Sequence, residues 1–221
     1  MDFVHLHLHS EYSLLDGACR IVDIPKAAKA AGHTAVAITD HGNLYGAVAF
    51  FKACRAEGVK PIIGCEVYVA PRTRFDKEGK RDASGNHLIL LCKNQKGYEN
   101  LIYMVSKSFT EGFYQKPRID LDLLRTHADG LIALSACLAG YIPRAIVSGD
   151  FAGARQYART LAGIFGEENF YLELQDHGIP EQREVNAELI AMAKELSLPL
   201  VATNDVHYLR RLDAEHKAVM M

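Results

Sequence analysis

Three histidines occupy alternate positions near the start of the chain: His5, His7 and His9 in FVHLHLHS. Alternate residues of a strand share a face, so the three imidazoles are expected together, with Val4, Leu6 and Leu8 opposite. Imidazoles flanked by apolar residues are costly to bury unless something binds the ring nitrogens, and a metal ion is the usual partner. The alternation alone fits equally well a surface strand with its polar residues turned to water. Further on, acids, histidines and one cysteine fall where apolar runs end. Asp16 follows in the first loop, Asp40 and His41 follow AVAIT, Cys137 follows LIALSA, and Asp205 and His207 follow LVATN, while Glu66 lies inside IIGCEVYV. Asp205-Val206-His207 repeats the alternation of His7 and His9. His87 begins its run instead of ending it, so either that strand runs the other way or His87 reaches in from a loop. About nine such groups exceed the roughly four that one zinc ion takes, and suit two or three ions sharing carboxylates. Nitrogen and carboxylate donors with a single thiolate suit zinc, manganese or iron more than calcium. Closely spaced ions activate water near neutral pH and hold both oxygens of a phosphoryl displacement.

Taken singly, most of these residues have ordinary readings. Asp16-Gly17 is also a turn pair, Asp40 a helix cap (Asn43 fits that role better), and Cys137 a small buried residue. Glu66 is harder to explain away, because an unpaired carboxylate in an apolar strand is expensive to bury. His33, His127 and His216 have no acidic company and read as surface residues; His177, in LQDHG, is intermediate.

The elements that would position these groups are legible as alternating apolar runs and helical patterns. Strands are expected at Phe3–His9, Ala35–Thr39, Pro61–Val69, His87–Cys92, Leu131–Ser135, Phe170–Leu174 and Leu200–Thr203. Between them, Asp23 precedes a helix over Ile24–Ala31, Asn43 one over Leu44–Glu57, and Asp150 one over Phe151–Phe165, with Gly32, Gly58 and Gly166 after them. Pro180 opens a long last helix that Leu198-Pro199 closes, and shorter helices are expected over Tyr98–Phe109 and Leu121–His127. Strand–helix alternation implies parallel strands with crossover helices. Seven units without a Gly-rich dinucleotide fingerprint favour a closed barrel, whose C-terminal strand ends meet on one face.

The composition, 49% hydrophobic and 24% charged over 221 residues, is that of a globular protein with a full core. No apolar run approaches the roughly 20 residues of a membrane helix and no signal pattern opens the chain, so a cytoplasmic location away from membranes is expected. Five cysteines without CxxC spacing imply free thiols or a ligand. A net charge of −2 does not point to nucleic acid; the exception is Arg72–Arg81, with five basic and two acidic residues, either a solvated loop or a phosphate contact. Residues 214–221 read as a helix only begun, with no Gly or Pro to close it, so the chain is expected to be a fragment.

FVHLHLHSEYSLLDGA, ITDHGNLYGA, IIGCEVYV, FYQKPRID, LELQDHG and NDVHYL, in this order, resemble the N-terminal polymerase-and-histidinol-phosphatase (PHP) domains of bacterial DNA polymerase III alpha subunits. The resemblance runs from Phe3 to about Asp213. It implies an α/β fold, a distorted (β/α)7 barrel, with residues 1–213 as the PHP domain and 214–221 as the start of a polymerase region. It also implies two to three divalent ions held by His7, His9, Asp16, His41, Glu66, His87, Cys137, Asp205 and His207, with His5 only a neighbour. Asp40 would orient His41 from behind, and Arg118 in KPRID would contact a phosphate, or else serve as a surface or domain-contact arginine. No separate catalytic side chain is implied beyond hydroxide on the ions. Family members lacking ligands resemble scaffolds, and members with the full set resemble 3′→5′ exonucleases that proofread in cis; here no ligand position is substituted. The implied partners are a DNA 3′ primer end, polymerase domains of the same polypeptide and other replisome subunits. Two other readings stand beside it: a docking module whose metals only stabilise the barrel, and a free-standing phosphatase of small monoesters.

Overall fold

The computed structural model describes residues 3–220. Its strands are β1 (Ala35–Ile38), β2 (Lys60–Val69), β3 (Asn86–Cys92), β4 (Arg118–Ile119), β5 (Leu131–Leu134), β6 (Phe170–Leu174) and β7 (Leu200–Ala202). They form one curled sheet in the order β1-β2-β3-β5-β6-β7, with β4 paired to β2. Helices fill most of the connections, giving an α/β fold built on a half-barrel.

The sheet is mixed, not all-parallel as expected. β3 runs antiparallel to both β2 and β5, and every other pairing is parallel. This reversal resolves the position of His87. It is the second residue of β3, opposite Tyr68 near the end of β2, and so lies at the same mouth as the C-terminal ends of the other strands.

The expected first strand, Phe3–His9, is not one. This segment runs extended between β1 and the loop after β7, held by Ala37 N–H to His5 O (2.8 Å), Thr39 N–H to Leu8 O (2.8 Å) and His9 N–H to Val206 O (2.7 Å). It spans the gap in the half-barrel with a single bridge, Leu8 to Val206, and no regular ladder. The alternation also breaks at His7. Leu6 packs inside the sheet with Ile62, Ile132, Tyr171 and Val201, whereas Leu8 packs outside with Ile24, Val36 and Phe50. His5 leaves the row to contact Phe3 and His33. The seventh strand is instead β4, whose two residues are too few to show an alternating pattern.

Elsewhere period-two alternation sorts side chains as expected. In β2, Cys65, Val67 and Val69 join the outer core beneath the helices and Glu66 points inward; in β3, Leu88 and Leu90 face out while Ile89 and Leu91 face in. Helices at Ile24–Ala30, Phe151–Phe165 and Pro180–Leu196 fall where the punctuation placed them. The helix expected from Leu44 begins at Ala47, because the Asn43 amide donates to the carbonyls of Tyr12 and His41 and accepts from Tyr45 N–H instead of capping a helix. Short helices at Gly79–Ala83 and Tyr141–Val147 add to those expected from the sequence. The last helix covers Asp213–Met220; Met221 and the His216 side chain lie outside the described residues. No helix among the described residues is long and apolar enough to cross a membrane. The N-terminal ends of the strands enclose an open apolar cavity of about 740 Å³ lined by Leu6, Ile62, Tyr171 and Val201 among others, with no carboxylate or imidazole in its wall. The chemistry lies at the other end.

Candidate metal centre

All nine residues implied as ligands converge at the mouth formed by the C-terminal strand ends and the start of β3. The Nε2 atom of His7 lies 3.1 Å from each of His9 Nε2, Glu66 Oε2 and Asp205 Oδ1. His9 Nε2 is 3.2 Å from the same Asp205 oxygen and 3.8 Å from Glu66 Oε2. The other Glu66 oxygen, Oε1, stands 2.6 Å from His41 Nδ1 and 2.8 Å from His87 Nδ1. Asp16 Oδ2 is 3.0 Å from His41 Nε2 and 3.7 Å from His207 Nε2, and Cys137 Sγ is 3.7 Å from His87 Nδ1.

Three donor groups overlap here: His9, His41 and His207; His7, His9 and Glu66; and Glu66, His87 and Cys137. Within each, the donor atoms lie within 4.8 Å of one another. Four donors at zinc's bond lengths, arranged tetrahedrally, stand about 3.3–3.6 Å apart, close to the spacing around His7, His9, Glu66 and Asp205. The Oδ1 atoms of Asp16 and Asp205 are buried without a hydrogen-bond donor, an expensive arrangement that a cation relieves. The donor set therefore fits divalent transition metals, with Glu66 shared between two groups. The backbone is bent to aim these side chains: Asp205 (φ 46°) and Ala136 (φ 65°), beside Cys137, are both left-handed. Gly42, after His41, has φ +62°, and a Cβ there would come within 2.8 Å of Pro117 and 3.0 Å of Tyr68.

Glu173 was missed by sequence reasoning. It points inward from β6, where Oε1 accepts hydrogen bonds from His7 Nδ1 (2.7 Å), Gln175 Nε2 (2.9 Å) and the Thr203 hydroxyl. The bond fixes a proton on His7 Nδ1, so Nε2 is the atom that would present a lone pair to an ion once its own proton is displaced. A signal existed, since Glu173 sits inside FYLEL as Glu66 sits inside IIGCEVYV, and the two are 2% and 1% exposed. Glu173→Gln is expected to weaken zinc binding about 10- to 100-fold, the usual effect of losing a ligand's outer partner. Competition with a chromophoric chelator measures it. Unchanged affinity would mean that His7 is oriented without the carboxylate.

Asp40 acts differently from the expectation. Its Oδ1 accepts from Ser10 N–H (2.6 Å) and the Ser13 hydroxyl (2.8 Å), and Oδ2 accepts from the Ser10 hydroxyl (2.7 Å). With its proton given to Asp40, Ser13 Oγ accepts from His41 N–H (3.1 Å) and stands 3.0 Å from His9 Nδ1. Asp40 thus orients the ring of His9 through Ser13, and Ser13 in turn holds only the backbone N–H of His41.

Arg118 faces no phosphate. It is fully buried, and its guanidinium donates to the carbonyls of Gly112 (3.0 Å), Asp82 (2.6 Å), Arg74 (3.3 Å) and Asp76 (2.9 Å). It straps the loop after β2 to the segment before β4, and the phosphate contact expected of it finds no support. Arg72 and Arg74 are also used internally, against Asp82 and against Glu111 and Asp120. His177 bonds Asn204 O and Gln182, tying two loops outside the cluster, and His127 stacks on Tyr103 at the surface.

Electrostatically the cluster holds protons where ions would sit. Burial opposes charge on His7, but Asp205 and Glu173 hold it well above the usual histidine value. His41 is lifted to about 9 against its burial by Asp16 and Glu66, while burial takes His9 down to about 4. Burial raises Asp16, Glu66 and Asp205 less than the facing histidines lower them, and all three stay below the usual carboxylate range. Burial, with Glu66 and Asp205 nearby, pushes the Cys137 thiol up, so a thiolate there calls for a cation. Metal binding must therefore release protons from His7 and His41.

A curled α/β sheet that gathers imidazoles, carboxylates and a thiol at one mouth is an arrangement consistent with the binding of several metal ions. The PHP domain model matches residues 5–177, and the chain belongs to that family. It is 48% identical over 225 residues to DNA polymerase III subunit alpha of Treponema pallidum, covering 100% of this chain and 19% of that protein. The Thermus aquaticus subunit is 47% identical over 225 residues, covering 100% and 18%. The chain thus spans about a fifth of the length of these relatives. Among solved structures, histidinol phosphate phosphatase from Lactococcus lactis, complexed with zinc, L-histidinol and phosphate, superposes with a TM-score of 0.51 at 15% identity, over 98% of this chain and 90% of that one. A two-domain Bacteroides vulgatus protein containing a PHP-like metal-dependent phosphoesterase gives 0.55 at 15% identity, over 92% and 51%. At such identities the likeness is one of fold.

Proposed function

We propose that the chain is a metal-dependent phosphodiesterase that trims DNA from the 3′ end, proofreading in cis for polymerase domains of the same polypeptide. The observation that carries this reading is Glu66, which places one oxygen in each of two donor groups and so would be shared by ions held in both. Zinc, manganese or iron bound there supplies Lewis acidity and water that ionises near neutral pH. Asp16, Glu66 and Asp205 provide the negative charge that retains the cations, and Glu173 and Ser13 keep the His7 and His9 lone pairs turned inward. In the hydrolysis, a water oxygen bonds to phosphorus, the bond to the 3′ oxygen breaks, and a nucleoside monophosphate leaves. The similarity to DNA polymerase III alpha subunits supports DNA as the substrate, polymerase and replisome partners, and a cytoplasmic setting.

The test offers the purified chain, with manganese at low salt, a 3′-labelled mismatched primer and a small phosphomonoester. Release of labelled mononucleotide in preference to monoester cleavage is expected. Cleavage of the monoester alone would make the domain a phosphatase. No cleavage of either with ions bound would make it a scaffold.

A further inference from the structure

Beside the metal centre lies a surface that its chemistry does not use. The rings of Tyr45, Phe109 and Phe113 form a row, with successive centroids 6.4 Å and 6.4 Å apart. They are 61%, 38% and 49% exposed, unusual for contiguous aromatics on a surface. The row is fixed to the site at both ends. Tyr45 is four residues after His41, and its N–H bonds the Asn43 side chain, which also bonds the His41 carbonyl. Phe113 precedes the segment that Arg118 straps down, in which Pro117 lies against Gly42.

Cations accompany the row. Lys116 Nζ sits 4.3 Å over the Tyr68 ring, and that ring is 6.3 Å from His41 and 5.1 Å from His87. In the segment after β2, Lys77 and, in the short helix Gly79–Ala83, Lys80 and Arg81 are exposed and make no ion pair among the described residues. The acids of these two segments are already engaged: Asp76, Glu78 and Asp82 by Arg72, and Glu111 by Arg74 and Lys107. The surplus is positive although the chain as a whole carries −2.

Exposed aromatic faces take unpaired bases, and free cations take the phosphates between them; together they recognise single-stranded nucleic acid, whose bases are not hidden in a duplex stack. An apolar protein partner would match the rings but leave the cations without purpose. We propose that the Tyr45–Phe109–Phe113 row, with Lys116 between it and the metal centre, is the track that holds single-stranded DNA as its 3′ end reaches the ligands. The direction of the strand rests on the exonuclease reading; the binding does not.

The probe is a fluorescein-labelled oligothymidylate of about 12 nucleotides, matched to typical single-strand site sizes. It carries phosphorothioate linkages at its 3′ end and is followed by anisotropy on the metal-loaded chain at low salt. It should bind about tenfold or more tightly than a blunt duplex of equal length. Phe109→Ala and Phe113→Ala should each weaken binding at least about fivefold, the lower bound for losing one base stack, and Phe113→Tyr should restore it. Lys116→Ala should flatten the dependence of log Kd on log salt by about 0.7. The three side chains altered are exposed, so the melting transition of each variant checks that the fold is unchanged. Equal affinity for duplex, or alanine variants that bind like wild type, would overturn the track. If those variants instead change the oligomeric state on size exclusion and leave oligonucleotide binding intact, the row is a protein contact and the proposal falls. Hydrolysis of bis(p-nitrophenyl) phosphate by the wild-type chain reads the metal centre separately. Hydrolysis without oligonucleotide binding defeats the track and spares the enzyme; binding without hydrolysis does the reverse.

Discussion

Replacing Asp205 by asparagine is expected to abolish metal-dependent phosphodiester cleavage while leaving the fold in place. Asp205 Oδ1 faces the Nε2 atoms of both His7 and His9, at 3.1 and 3.2 Å, and is buried without a hydrogen-bond partner. A cation there would satisfy it. The amide keeps the size of the side chain but removes the charge that offsets the ion. Asparagine is also the best substitute for the backbone, because Asp205 has φ 46° and Asn tolerates the left-handed region better than most residues. Activity should fall by well over the roughly 100-fold ceiling for losing an outer partner such as Glu173. Elemental analysis should show fewer ions per chain. The core should hold, since its strands bury aliphatic side chains away from the mouth. Residual cleavage identical in wild type and Asp205→Asn would identify that cleavage as a contaminant.

The sequence displays the metal centre better than its surroundings, and the reason is chemical. Imidazoles, carboxylates and a thiol at the ends of apolar runs stand out, because burying them needs a compensating partner, and topology then carries them to one mouth. What stayed hidden depends on tertiary contacts. His87 looked misplaced because the direction of β3 is set by pairing with β2 and β5, not by its own residues. The FVHLHLHS row suggested one regular strand, yet its backbone is divided between β1 and Val206, which turns Leu6 inward and Leu8 outward. The sequence left Arg118 as either a phosphate contact or a surface or domain-contact arginine, because nothing local shows that four carbonyls from two loops surround it. Tyr45 and Phe109 are separated in sequence, so their row exists only once the fold brings the loop after β1 against a helix end.

Removing the ions with a chelator should lower the melting temperature, and the gap between loaded and stripped chain should widen as pH rises from about 6 to 9. An ion that binds only the folded chain stabilises it by mass action, by about 2.7 kcal/mol at a hundred times Kd. In the stripped chain His41 titrates near 9, above its ordinary 6.5. A raised pKa means that the proton itself stabilises the fold: this contribution is complete below about 6.5 and is lost as pH climbs through 9. His7, also raised, acts in the same direction. The depressed carboxylates Asp16, Glu66 and Asp205 contribute above their ordinary values and lose that contribution only in acid, so they do not oppose the trend in this window. The stripped chain therefore weakens from mildly acidic to basic pH. Ion binding strengthens over the same range, because the protons it must displace from His7 and His41 are already leaving. His9, neutral in the folded chain, opposes the trend only at the low end of the window, where the unfolded ring still takes a proton at its ordinary 6.5, and adds nothing above about 7.5. Thermal scans at several pH values, with and without chelator, measure both curves, and calorimetry in buffers of different ionisation enthalpy counts the protons released. A gap that is constant or shrinks with pH would mean that ions, if they bind, do so away from these histidines.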